Sequence, residues 1–331
     1  MTHPPPASPP GAAIRVQALT KRYGALTALD TLSLEVRSGE LFGIVGPDGS
    51  GKTTVLRILA GVLRPEGGDA VVAGTSVTSD PEGVKHRIAY MAQRFGLYGD
   101  LSVRENIDFY ADLYGVPRAV RPARLERLFA FSNLGAFQQR LAGNLSGGMK
   151  QKLSLCCALI HEPEVLLLDE PTFGVDPISR RELWLIVHEM VARGTTAVVS
   201  TAYLDEAERC DRVALLNHGR LAALDTPAAL QGRLAGRSIA IACNAPRRAA
   251  AQLQGMAGVR SAALYGRSLH VTLEQPQLGE QVLAHLRSAG IEIQSSRAFD
   301  PSLEDVFIEL SATDGSTRGS HDTTQGSLHA A

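Results

Sequence analysis

The chain has 331 residues, a formal net charge of −1 and 44% apolar residues, a globular composition with room for about two domains. It has no basic excess to point to nucleic acid, no apolar signal core at its start and no apolar run of the roughly eighteen residues needed to cross a bilayer, so work at a membrane calls for a partner that supplies the span. Cys156, Cys157, Cys210 and Cys243 lack Cys-x-x-Cys spacing and a nearby pair of histidines, and read as reduced, cytosolic and mostly buried.

Residues 1–13 are rich in proline and small side chains and are expected to form a disordered arm. Ile14, Val16 and Leu19, then Leu32, Leu34 and Val36, alternate as strands do. Tyr23 lies between them, suited either to stack on an adenine ring or to pack against the sheet. Leu41 to Val45 is a short apolar run, followed by Gly46-Pro47-Asp48-Gly49-Ser50-Gly51-Lys52-Thr53-Thr54. This fits the phosphate-loop pattern G-x-x-x-x-G-K-[ST]. Apolar residues at helical spacing from Val55 to Ala60 complete a strand, loop and helix, the context in which backbone N–H groups and a helix dipole face phosphate together. Lys52 is placed to reach the outer phosphates, and Thr53 to join the shell of a Mg²⁺ that bridges them.

Val71 to Gly74 suggests a strand and turn, and Arg87 to Gln93 a further strand. Gln93, at its end, is either a loop glutamine or a side chain that watches a bound nucleotide and its metal. Ser102 and Glu105 fit a capping box that opens a helix with Val103, Ile107, Tyr110 and Tyr114 at helical spacing. Leu145-Ser146-Gly147-Gly148-Met149 precedes another helix, with Met149, Leu153, Cys156 and Ile160 on one face. Ser146 is a good N-cap, and Gly147 and Gly148 leave the first amides unshielded, which makes a second anion-binding helix start.

Val165 to Leu168 is the unbroken apolar run of a strand buried on both faces, and it ends in Asp169-Glu170. Two carboxylates at the tip of such a strand are costly unless they do something, the alternative being a solvated acidic loop. Near a phosphate loop, Asp169 would hold Mg²⁺ and Glu170 would orient or deprotonate an attacking water. Asp176 and Pro177 begin a helix as N-cap and first residue, ended by Gly194. Thr196 to Thr201 is another buried strand, and Val213 to Leu224 a hairpin around Asn217-His218-Gly219-Arg220. From Gly236 to about Ser311 the alternation changes to that of a small α+β unit, and residues 312–331 are polar, small and expected to be disordered.

Taken in order, these motifs resemble the ATP-binding subunit of ATP-binding-cassette (ABC) transporters, over about Ile14 to Leu230. The resemblance implies an α/β fold: an ABC-type P-loop NTPase cassette at 14–235, with a mixed sheet core, an antiparallel β subdomain and a helical signature subdomain, followed by the small α+β domain at 236–311. It implies ATP and Mg²⁺ as cofactors. Tyr23 becomes the adenine-stacking aromatic and residues 46–54 the phosphate loop. Gln93 becomes the glutamine that contacts metal and membrane partner, Ser146, Gly147 and Gly148 the family signature, and Asp176 part of the loop between two cassettes. Thr53, Gln93 and Asp169 would hold the metal; Glu170, with Gln93, would serve catalysis.

Asp300-Pro301-Ser302-Leu303-Glu304-Asp305-Val306-Phe307 and Ser200-Thr201-Ala202-Tyr203-Leu204-Asp205-Glu206-Ala207 resemble the cassettes of type-2 exporters, the drug-resistance and antibiotic self-protection group. The implied partners are a type-2 ABC transmembrane permease and a second cassette, with the chain peripheral on the inner face of the cell membrane. Two positions depart from the common pattern: Asp48, where asparagine is commoner, and Ala202, where the family has a histidine that contacts the γ-phosphate. Both are similar to the first cassette of fused two-cassette exporters. Ala202 leaves two readings open, a transport ATPase that is slow at its own site and a regulatory cassette paired with a competent one, and it leans the pairing towards a heterodimer. A soluble cassette acting on ribosomes or DNA would carry two cassettes or large insertions, and neither is present.

Overall fold

The computed structural model describes residues 11–318 apart from 94, 95 and 267, with the side chains from 312 onward left aside. Most of the expected arm and the end of the expected tail therefore lie outside the described residues. Two boundaries differ from expectation: Ala12 and Ala13 already belong to the first strand, and the last helix runs on to Arg318.

The chain opens with β1 (Ala12–Tyr23) and β2 (Leu26–Arg37), an antiparallel pair. Next come β3 (Leu41–Val45) and α1 (Lys52–Leu59), then β4 (Gly67–Val72), β5 (Thr75–Ser76), α2 (Pro81–Lys85) and β6 (Ile88–Met91). The helices α3 (Val103–Leu113), α4 (Arg121–Ser132) and α5 (Gly147–Leu159) follow without an intervening strand. The pattern then alternates: β7 (Val165–Asp169), α6 (Pro177–Ala192), β8 (Thr196–Thr201), α7 (Leu204–Ala207), β9 (Arg212–Asn217) and β10 (Arg220–Asp225). Contacts divide the chain into two compact units after Leu224.

In the first unit a six-stranded sheet has the order β10-β9-β3-β8-β7-β6, and a four-stranded antiparallel sheet the order β2-β1-β4-β5. β3, β7 and β8 are buried along their whole length, as expected of parallel strands covered on both faces. One core joins the two sheets through α1: Ile14, Leu32 and Val36 pack in the same cluster as Ile44, Leu56, Ile58, Leu167 and Val198. β6 is shorter than the Arg87–Gln93 expected, so Gln93 lies in a bend beyond the strand. The hairpin turn is the pair His218-Gly219 with φ of 46° and 77°, the left-handed pair that matches strand twist.

The capping box forms: Glu105 N donates to Ser102 Oγ at 3.2 Å and Ser102 N to Glu105 Oε2 at 2.8 Å. α5 does not bury a single stripe. Every residue from Lys152 to Leu159 is buried, because α3, α4, α6 and β6 all pack against it. α4 was not expected at all.

The second unit begins with α8 (Pro227–Gly232), upstream of the 235/236 boundary, and α8 packs on α11. β11 (Ser238–Cys243), α9 (Pro246–Leu253), β12 (Val259–Tyr265), β13 (Ser268–Leu273), α10 (Gly279–Ser288), β14 (Ile293–Ala298) and α11 (Leu303–Arg318) complete it. The sheet order β12-β13-β11-β14, all antiparallel, is the ferredoxin-like split βαβ arrangement. Ile241, Leu269, Val271, Leu253, Val282 and Leu286 form its core. β12 escaped the alternation because it is an edge strand of small and half-exposed residues.

Between Gln93 and α3 the chain is held by Asn106, fully buried in α3. Its amide donates to the carbonyls of Tyr98 at 3.0 Å, Leu101 at 3.2 Å and Ser102 at 2.9 Å, and its oxygen accepts from Tyr98 N at 3.0 Å. Replacing it by alanine leaves several buried backbone groups unpaired, at about 1–3 kcal/mol for such a group. Asn106→Ala is therefore expected to lose about 3 kcal/mol; a urea-unfolding midpoint equal to that of the parent would discard this account of the segment.

Candidate active site

The parallel pairing of β6, β7, β8, β3 and β9 brings their carboxyl ends to one edge, the place where open α/β sheets take ligands. Val45 is level with Thr201 and Leu215, and Asp169 with Ser200. The loop 46–51, the acidic pair 169–170 and the segment 200–202 therefore leave the sheet side by side.

The loop wraps back over the start of α1. Lys52 is 4% exposed, and its Nζ donates to the carbonyl oxygens of Gly46 at 2.8 Å and Pro47 at 3.1 Å. Pro47, Asp48 and Gly49 are exposed. Ser50 is buried, with a hydroxyl that has no hydrogen-bond partner among the described residues. Gly46 and Gly51 are fixed by packing: a Cβ on Gly46 would lie 2.3 Å from the Leu216 carbonyl oxygen, and one on Gly51, at φ 105°, 2.7 Å from that of Ala28. Gly51 gives α1 no side-chain cap and the first turn has no acidic residue, so its leading N–H groups suit an anion. Thr53 and Thr54 follow in that turn.

Asp169 is 1% exposed. Its Oδ1 accepts from Thr53 Oγ1 at 3.0 Å and Ser200 Oγ at 2.7 Å, and its Oδ2 lies 3.4 Å from the Tyr90 hydroxyl. Burial, with the Asp169 charge alongside, pushes the Tyr90 phenol up to about 12, so it stays a protonated donor. Glu170 takes a left-handed backbone, φ 47°, which costs about 1–2 kcal/mol for a residue with a Cβ. That turn brings its Oε1 to 3.3 Å from Lys52 Nζ, while Oε2 accepts from Gln93 Nε2 at 2.9 Å.

Lys52, Thr53, Asp169, Glu170 and Gln93 are thus brought together. Hard oxygens from Thr53 and Asp169 fit a Mg²⁺, with the Gln93 amide oxygen as a further donor of the same kind. Among the described residues no group of three His, Cys, Asp or Glu is gathered for a metal, so such an ion would complete its shell with phosphate oxygens and water. Tyr23 is 46% exposed at the end of β1, with Lys21 Nζ 5.7 Å from its ring centre; it does not pack into the sheet.

Ser146, Gly147 and Gly148 sit elsewhere in the unit. Ser146 Oγ accepts from Met149 N at 3.3 Å. A Cβ on Gly148 would meet Ser179 Oγ at 2.1 Å and Asp176 Oδ2 at 3.1 Å, so the start of α5 is pressed against the start of α6. Asp176 caps α6, accepting from Ile178 N at 3.1 Å and Ser179 N at 3.0 Å, and the Ser179 N–H holds its carboxyl below the usual range. Among the described residues no hydrogen bond joins Ser146, Gly147 or Gly148 to residues 46–54.

Ala202 is exposed, and the residues around it form a network that the sequence did not reveal. Glu206, 1% exposed, accepts from Thr172 Oγ1 at 2.7 Å and Thr201 Oγ1 at 2.9 Å and lies 3.4 Å from Arg180 Nε. The Arg180 guanidinium covers the Tyr203 ring at 4.7 Å. Ser200 and Tyr90 were missed as well. Their signal was position alone, at the ends of strands that flank Asp169.

Residues 29–173 match the family described as ABC transporter, and residues 226–311 the family described as ATP-binding protein DrrA1-3-like, C-terminal domain. The chain is 42% identical over 303 residues to the probable multidrug ABC transporter ATP-binding protein YbhF of Escherichia coli (strain K12), covering 90% of this chain but only 52% of that protein. It thus spans about half the length of that relative. It is 33% identical over 321 residues to the daunorubicin/doxorubicin resistance ATP-binding protein DrrA of Streptomyces peucetius, covering 96% of this chain and 97% of that one. A solved structure of an ATP binding subunit of an ABC transporter superposes with a TM-score of 0.62 at 30% identity, over 67% of this chain and 92% of the other. With the phosphate loop, the acidic strand end and the signature helix set in one parallel-sheet cassette, the chain belongs to the ABC transporter ATP-binding proteins, in the group that carries a DrrA1-3-like C-terminal domain.

Proposed function

We propose that the chain binds ATP at residues 46–54, hydrolyses it, and thereby energises export through a separate type-2 membrane permease. The observation that carries this reading is the meeting of Lys52 with Glu170 at 3.3 Å beside the Thr53–Asp169 bond at 3.0 Å. It sets a phosphate counter-charge, a metal-binding oxygen pair and a base within one side chain's reach of each other. Lys52 exchanges its carbonyl partners for the outer phosphates. Thr53, Asp169 and Gln93 would hold a Mg²⁺, and the chemistry it would supply is neutralisation of phosphate charge. Glu170 orients the attacking water and takes up its proton, while the half-exposed Tyr23 stacks on the adenine.

Ser146, Gly147 and Gly148 face a second cassette rather than the loop of their own chain, and Asp176 lies in the same seam. The permease seats beside Gln93, where Leu97, Gly143, Lys150 and Gln151 line a cleft of ≈ 340 Å³. It also supplies the membrane span, since no helix among the described residues is long and apolar enough to cross one. The chain accordingly works from the inner face of the cell membrane. The relatives named for multidrug and daunorubicin/doxorubicin resistance favour a drug, an antibiotic or another small hydrophobic molecule as cargo.

Two substitutions test the chemistry. Lys52→Ala is expected to abolish ATP turnover, and Glu170→Gln to keep ATP binding while accumulating closed dimers on size exclusion. Wild-type ATPase rates in either variant would remove that residue from its role.

Ala202 favours a second reading for this chain's own site, a cassette that holds ATP but turns it over slowly beside a histidine-bearing partner. An alanine methyl donates no hydrogen bond to a γ-phosphate. Removing one transition-state donor costs roughly 10²–10³-fold. Ala202→His is expected to raise the steady-state ATPase of the purified chain at least about tenfold. Brisk parent turnover that histidine does not change would discard both the missing contact and the reason to expect two unlike cassettes.

A further inference from the structure

We infer that Ser200 is a positioning residue for the hydrolysis proposed above, one hydroxyl that sets both members of the acidic pair. The inference rests on that reading of the site. Ser200 is fully buried at the end of β8 and so touches neither nucleotide nor water from solution. Its hydroxyl has one hydrogen to give, which goes to Asp169 Oδ1 at 2.7 Å, and a lone pair that accepts from Glu170 N at 3.0 Å. Consecutive carboxylate residues are latched by the same atom.

The register explains why this position can do so. Asp169 and Ser200 are level in the β7–β8 ladder, and at the next residue the chain leaves the strand through the left-handed turn at Glu170. The Glu170 N–H is shared between the Ser200 carbonyl oxygen at 3.1 Å and the hydroxyl at 3.0 Å. The carboxylate it carries is pulled by Lys52 on one side and Gln93 on the other. When Lys52 turns to phosphate, that pull weakens, and the backbone anchor fixes where the carboxylate stays. Asp169 Oδ1 is likewise shared by Thr53 and Ser200; if Thr53 gives its hydroxyl to another partner, Ser200 still holds the rotamer. An alanine or valine would fill the strand position but leave Asp169 Oδ1 to Thr53 alone and the Glu170 N–H to the backbone carbonyl alone.

The test compares the full chain with Ser200→Ala and Ser200→Cys, and uses Lys52→Ala as background. Single-turnover and steady-state ATP hydrolysis give the rate, ATP binding in EDTA gives an affinity independent of metal, and thermal unfolding reports the fold. Loss of an outer-shell partner typically costs about 10–100-fold. Ser200→Ala is expected to lower kcat by about that factor with ATP affinity in EDTA within about threefold of the parent and a melting temperature lowered by no more than a few degrees. Ser200→Cys, which keeps a weak S–H donor, falls between. A Ser200→Ala rate within about threefold of the parent, while Lys52→Ala is silent, overturns the positioning role and leaves the hydrolysis reading standing. Affinity or melting temperature falling in step with the rate also overturns it, since the hydroxyl would then merely support the fold. A parent rate no higher than the Lys52→Ala background removes the hydrolysis reading, and this inference with it.

Discussion

The site is governed by two adjacent carboxylates, Asp169 buried and Glu170 partly buried, at the end of a strand that has no exposed face. A desolvated carboxylate is costly unless donors replace its water. Asp169 has three hydroxyls within reach, from Thr53, Ser200 and Tyr90, and among the described residues no ion pair. Glu170 has the opposite solution: a buried ammonium from Lys52 and the Gln93 amide. Hydroxyls leave a carboxylate open to a cation, whereas an ammonium occupies it. This difference separates the two acids: on the proposed function Asp169 would be open to a metal, and Glu170 would be released when Lys52 turns to phosphate.

Much of this was legible because it depends on short-range pattern. The loop 46–54 is one contiguous stretch whose glycines, lysine and threonine have to stand in that order, and β3 and β7 announce their double burial by short apolar runs. The capping box at Ser102 and Glu105 and the N-cap at Asp176 are equally local. The residues that escaped are those whose role is set by register. Nothing near Ser200 or Tyr90 in the sequence states that β8 and β6 flank β7, and a buried serine reads simply as a small strand residue. Burial on all sides of α5 was hidden for the same reason, since four separate elements cover it. β12 and α4 were missed where alternation is weakest, in an edge strand of small residues and in a helix opened by Arg121-Pro122.

The start of α5 is where, on the proposed function, a second cassette would meet this one. Gly148 has no room for a Cβ, because Ser179 and Asp176 press against it, so the helix start cannot move without α6. Ser146 and Gly147 stay exposed, and among the described residues no hydrogen bond joins them to residues 46–54. A helix N-terminus kept open by two glycines and fixed by packing makes sense when the anion comes from outside the chain. Asp176, at the head of α6, is tied to that surface by the same contact, so the two motifs act as one face.

Ala202 is best understood through what surrounds it. The support beneath that position is complete: Glu206 is fully buried and takes hydroxyl donors from Thr172 and Thr201, with Arg180 beside it and stacked on Tyr203. Burying an acid in this way is expensive unless each donor is kept, and each of them is in place. The backbone that would present a histidine is therefore built and held, and only the side chain is missing. A region that had lost its chemistry through general decay would show broken supports as well. The change is confined to one contact on the γ-phosphate side of the site, while Lys52, Asp169, Glu170 and their partners stay intact. On the proposed reading, such a pattern would slow one step and preserve nucleotide-driven closure, as the slower member of an unequal pair of cassettes would require.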